Sequence, residues 1–205
     1  MLSAMPLILA LAARPVLADC PVAVAELDVH LVRALAAFEQ HHYLDFERER
    51  QDAEAAMDCV TEVLRDQVLV NVHLVWTAKA LLRGDELALL AGIRGLRVVA
   101  PGFALPQSWA LAGQRVGDLY TAAQEQGPGR EVRLPGRLVV DGHVASSFIP
   151  AERSAVVQIR NPAGSWSAWY VEPSAPTVTW MMAMQQRDPA PPDGVAPVPV
   201  PEGVE

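Results

Sequence analysis

The sequence predicts an α+β fold, with N-terminal antiparallel helical hairpins followed by a small β-sandwich or meander. Three observations predict it. From Pro21 to about Gln126 the chain is dominated by Ala, Leu, Glu, Gln and Arg, strong helix formers with few internal breakers. Gly127-Pro128-Gly129 then interrupts that pattern. Beyond Gly136 the apolar residues fall in short β-branched runs separated by turn residues, as in strands.

The chain opens on an apolar run, Met5 to Ala13, followed by Arg14-Pro15 and Val16-Leu17-Ala18. The run is too short to span a bilayer. Small or modest residues at Val16 and Ala18 suit signal peptidase, so residues 1–18 read as an export signal cleaved before Asp19. The expected location is therefore periplasmic or secreted. Leu17-Ala18-Asp19-Cys20 also resembles the lipobox of bacterial lipoproteins, except that Asp19 stands where that motif takes a small residue. That resemblance implies a lipid anchor on Cys20 as the alternative.

Cys59 is the only other cysteine, and two cysteines in an exported chain most simply pair. A Cys20–Cys59 bridge would join the start of the first helix to the second helix. Closing a loop of about 40 residues would stabilise the fold by a few kcal/mol. The pair shows no CxxC spacing and no histidine at ligand distance, so neither a redox centre nor a metal site is expected there.

The formal net charge is −8, becoming −9 without Arg14, and Lys79 is the single lysine. An acidic chain without a basic stretch is a poor nucleic-acid binder. A mature chain of fewer than about 190 residues can bury one good core or two small ones.

The helical region, residues 19–126, divides as follows. Val24, Leu27, Leu31, Leu35 and Phe38 recur at spacings of three and four and mark one face of a first helix. A turn is expected around His41-His42-Tyr43. Phe46, Ala53, Met57, Val60 and Leu64 repeat the stripe in a second helix, with Glu47, Arg48, Glu49, Arg50 and Asp52 expected on its solvated side. A third helix, about Gln67 to Arg83, is apolar nearly all round and should lie at the centre. Gly84 ends it, Asp85 caps a fourth helix carrying Leu89, Ile93 and Leu96, and Pro101-Gly102 stops that one. Two short helices are expected around Ser108–Leu111 and Val116–Glu125.

The stretch from His73 to Pro101, with Trp76, Leu82-Arg83-Gly84-Asp85, Leu89, Ile93, Leu96 and Pro101, resembles a tetratricopeptide repeat. Gly84 and Pro101 match that family's inter-helix glycine and terminal proline. Thr77, Leu89 and Leu96 replace its small residues, which implies altered packing. The resemblance implies stacked helical hairpins with a groove for a protein or peptide, the segment Val22–Leu64 being a more degenerate copy.

Residues 127–135 read as a linker. Within 136–184, Arg137–Val140 is expected as a strand entering a tight Asp141-Gly142 turn, a strong hairpin signal. Ala155–Arg160, Ser165–Glu172 and Thr177–Met184 are the further expected strands. The order Gly136-x-Leu138-x-Val140-Asp141-Gly142, then Val156-Val157-Gln158, resembles the PEGA-type β modules of bacterial envelope proteins. Pro150-Ala151-Glu152 is at best a remnant of that family's signature. Residues 185–205 alternate Pro and Val near their end, which favours an extended, disordered tail.

No catalytic constellation is legible, and no cofactor is expected. His41 and His42 stand beside Asp45, Glu47 and Glu49, but one helical turn converges only a pair of them, too few for an ordinary metal site. His30 and His73 sit inside apolar stripes, where packed or half-exposed histidines are usual. Ser108, Ser146, Ser147, Ser154, Ser165 and Ser167 lie outside any Gly-x-Ser-x-Gly elbow, and no phosphate-binding glycine loop is present. Trp166, Trp169, Tyr170 and Trp180 cluster in one region. In a strand Trp166 and Tyr170 share one face and Trp169 the other, so an exposed aromatic platform for a protein or glycan is one expectation and two buried faces the other. The expected function is a non-enzymatic scaffold or adaptor for a protein or peptide at the cell envelope. The alternative is a glycan or peptidoglycan binder using the tryptophans.

Overall fold

The computed structural model describes residues 22–104, 109, 114–123, 131–133, 138–145, 148–150, 152–160 and 164–173. The expected export signal, Cys20, the strand over 177–184, Trp180 and the Pro-rich tail lie outside these residues. The described part is an α+β structure in which helices precede strands.

Helix α1 (Val24–Glu39) buries Leu27, Leu31, Ala34 and Phe38, the expected stripe. His41 takes a left-handed φ of 60°, and the His42 N–H donates to the Ala37 carbonyl, which turns the chain into α2 (Tyr43–Met57). Two details of α2 correct the sequence reading. The helix ends at Met57, so Val60 and Leu64 are fully buried from an irregular segment rather than from a longer helix. Arg50, expected in solvent, is 4% exposed. Positions 46, 50, 53 and 57 fall on one helical face, so Arg50 belongs with Phe46, Ala53 and Met57. Its guanidinium forks to Glu47 at 2.7 and 2.9 Å and to Glu54 at 2.7 Å, and lies 6.0 Å from the centre of the Trp76 ring. Paired carboxylates and an aromatic face make that burial tolerable.

Helix α3 (Asp66–Arg83) is buried along most of its length, as an all-round apolar helix must be, and packs against α1, α4 and the sheet. Gly84 ends it at φ 65°, in the left-handed region where glycine carries no Cβ penalty. The Asp85 carboxylate accepts the Ala88 N–H at 3.0 Å and caps α4 (Glu86–Val99). Helix α5 (Gln114–Ala122) adds Val116 to a cluster with Ala80, Leu89 and Ile93.

The strands are β1 (Glu131–Arg133), β2 (Leu138–Val140), β3 (His143–Ala145), β4 (Phe148–Pro150), β5 (Ala155–Arg160) and β6 (Trp166–Val171). β1 pairs with β4, so the stretch expected as a linker contains a strand. The other four form an antiparallel sheet in the order β3-β2-β5-β6. Asp141 (φ 48°) and Gly142 (φ 77°) are both left-handed, the geometry a two-residue β2–β3 turn requires.

One feature joins everything. Val60 exchanges two 2.8 Å backbone hydrogen bonds with Trp166 on the β6 edge. On its other side Val22 donates to the Cys59 carbonyl at 2.7 Å and accepts from the Thr61 N–H at 3.0 Å. Val156 and Ala168 lie in the same core as Leu27, Phe46 and Trp76, so helices and sheet share one hydrophobic interior. Among the described residues no helix is long and apolar enough to cross a membrane.

Candidate functional site

The densest chemistry is a buried polar junction between α3, α4 and the sheet. His73 is fully buried on α3, and its Nε2 lies 3.1 Å from Asp141 Oδ1 in the β2–β3 turn. The same oxygen accepts the Val156 N–H at 2.8 Å, and Oδ2 accepts from Arg153 at 2.5 Å. Asp141, read in the sequence only as a turn residue, thus gathers three donors from three segments. Burial alone would raise its pKa, but the hydrogen bond and charge of His73, the Arg153 charge and the Val156 N–H together hold it below its ordinary value.

Glycines on α4 allow the close approach. A Cβ on Gly95 would stand 2.4 Å from the Ser154 carbonyl and 2.6 Å from His73 Cε1, and one on Gly92 would meet Thr77 Oγ1 at 2.4 Å. The β4–β5 connection is drawn onto the same helix: Ser154 donates its N–H to the Ala91 carbonyl at 3.0 Å, and Arg94 donates to the Glu152 carbonyl at 3.2 Å. Thr77 donates its hydroxyl to the His73 carbonyl at 2.6 Å. The Ser154 and Thr77 hydroxyls face the Tyr170 OH without a well-aligned bond, and burial raises that phenol's pKa well beyond the usual range.

Asp141, His73 and Ser154 are the residue types of an acyl-transfer triad, yet the arrangement is not one. A working triad needs a serine hydroxyl bonded to the histidine and open to substrate. Here, among the described residues, His73 Nδ1 and Ser154 Oγ have no hydrogen-bond partner, and both residues are fully buried against α4 at Gly95. The charge and hydrogen bonds of the junction act to clamp the sheet to the helices.

The aromatic residues singled out in the sequence divide between two packing regions. Trp166 and Tyr170 pack against the helical core, where Tyr170 stacks on Trp76 at 5.4 Å and meets His73 edge-on at 5.4 Å. Trp169 packs on the opposite face against a cluster of Leu138, Val140, Ala155, Val157 and Val171. All three are partly buried, so both faces of β6 are engaged in packing. Cys59 is disulfide-bonded, and Cys20 is the chain's other cysteine. His41 Nδ1 lies 3.0 Å from the Tyr43 hydroxyl, Glu47 serves Arg50, and Asp45 pairs with Arg48. Glu49 instead reaches across to His30, whose Nδ1 is 2.9 Å from its Oε2.

Sequence reasoning missed the role of Asp141 and the notch at Gly92 and Gly95. A glycine pair three residues apart inside an amphipathic helix was the available signal, since each weakens the helix unless something approaches it. Comparison of the chain with protein-family models, with curated proteins and with solved structures found no match to any.

Proposed function

We propose that the chain is an exported, non-enzymatic scaffold that binds a protein or peptide partner at the bacterial envelope through the outer surface of its first helical hairpin. The observation that carries this reading is the sealed polar junction, which gives its most reactive side chains to rigidity. With α3 covered on several sides, the first hairpin offers the contact surface that this reading uses. There Val29 and Val32 stand one turn apart on α1 and are 45% and 50% exposed. The pairing of α1 with α2, α3 with α4, and α1 with α3 supports tetratricopeptide-like stacking. Packing of Trp166, Trp169 and Tyr170 favours an adaptor over a glycan binder. The Cys59 disulfide supports export to an oxidising compartment, and favours Cys20 as its partner over Cys20 as a lipid anchor.

A photo-crosslinking amino acid at Val32, in cells carrying the full-length gene, tests the reading. One discrete protein adduct that disappears when Val29 is changed to Glu supports it. The absence of any adduct at Val32, together with sedimentation of the purified protein with cell wall, would replace it with the glycan reading.

A further inference from the structure

We propose that His30, Glu49 and Asp52 form a binding site for a divalent transition cation, with Zn2+ the best chemical fit. His30 lies on α1, while Glu49 and Asp52 lie three residues apart on α2 and so share a helical face. One ligand atom from each falls within 4.8 Å of the other two. Bonds of about 2.0–2.2 Å to one nitrogen and two oxygens require only small side-chain rotations from that spacing. His30 and Glu49 are partly buried, at 23% and 13% side-chain exposure, and their 2.9 Å contact already fixes two of the ligands. Asp52 is exposed and free to close over an ion.

The donor set selects the ion. One imidazole and two carboxylates suit Zn2+ and its neighbours, with water completing a tetrahedral shell. Ca2+ needs six to eight oxygens, more than these side chains supply. Two carboxylates offset the cation's charge. Arg48 approaches Glu49 through the other oxygen, Oε1, at 3.6 Å and is itself paired with Asp45 at 3.0 Å. Arg33 adds positive potential near Glu49 and sets the ion's affinity lower than two unopposed carboxylates would. The site would tie α1 to α2 across the hairpin on which the proposed function rests, although metal binding stands or falls independently of any partner.

Isothermal titration of the untagged, disulfide-intact protein with ZnCl2 provides the test. One Zn2+ per chain is expected, with a higher Tm in its presence. Asp52→Asn, at an exposed position, and His30→Gln should each weaken binding by at least about tenfold, with unchanged far-UV circular dichroism. Asp52→Asn keeps the test informative if His30→Gln fails to fold. The double change of His41 and His42 to Gln should leave binding intact. Absence of saturable binding, or binding that survives Asp52→Asn and is lost with the His41 and His42 changes, overturns the proposal.

Discussion

Asp141 shows how one residue serves two levels of structure. Its tolerance of a left-handed φ makes the hairpin turn, and its carboxylate receives His73, Arg153 and the Val156 N–H. Asp141→Asn removes the charge that Arg153 and the His73 ring face, so it should destabilise the fold by about 3 kcal/mol, read as a lower urea midpoint at pH 7. Acid should act through the same group. Because its folded pKa lies below its ordinary 3.8, its stabilisation is complete above that value and is lost as pH falls through the depressed one. Glu47 behaves alike: its hydrogen bonds to Arg50 are the chief cause of a pKa lowered from 4.5 to about 2. Stability should therefore decline between roughly pH 5 and pH 2, and the Asp141→Asn variant should show a shallower decline in denaturant titrations across that range. The turn itself was legible in the sequence as Asp-Gly. Its partners were not, because they are 68 and 12 residues away for His73 and Arg153.

At the scale of the element, α4 is the informative helix. Alanine exceeds glycine in helix propensity by about 1 kcal/mol, so local preference alone predicts that Gly→Ala stabilises. Gly117 in α5 has nothing within 4 Å of an added Cβ, and Gly117→Ala should raise stability by about 0.5–1 kcal/mol. Gly95→Ala should do the reverse, costing about 1–3 kcal/mol as the added carbon meets the Ser154 carbonyl and the His73 ring. Paired thermal melts of the two variants check both signs. Helix boundaries were readable where a cap or stop was written into the chain, as at Gly84 and Asp85. They were not where the apolar spacing continued past the helix end: Val60 and Leu64 keep the stripe's period but are buried from an irregular segment. Arg50 was misjudged for a related reason, since its charge outweighed its position in the pattern and Trp76, its aromatic neighbour, comes from another helix.

For the molecule as a whole, the α+β order was legible, and the interdependence of its two parts was not. Periodicity reports which side of an element is apolar, without naming the surface it meets. Here Tyr170 of β6 stacks on Trp76 of α3, and Val156 and Ala168 enter the helical core. A fragment ending at residue 126 should therefore expose this surface, bind a hydrophobic dye and unfold without a sharp transition. The full chain should unfold in one transition by tryptophan fluorescence and circular dichroism alike. Reduction should lower its stability by about 4 kcal/mol if the bridge closes the roughly 40-residue loop from Cys20 to Cys59. The same denaturation with and without reductant measures it.

The backbone bonds of Val60 also set an order of assembly for a chain that is synthesised amino end first. Its contact with Val22 becomes available as soon as the first hairpin has emerged. Its other edge must wait for Trp166, roughly a hundred residues later, and such distant closures are slow. Until then the half-emerged chain carries an unpaired backbone edge beside an open apolar surface, the kind of feature that recruits chaperones or neighbouring chains. The last of the described strands to arrive, β6, is thus the one that closes that edge.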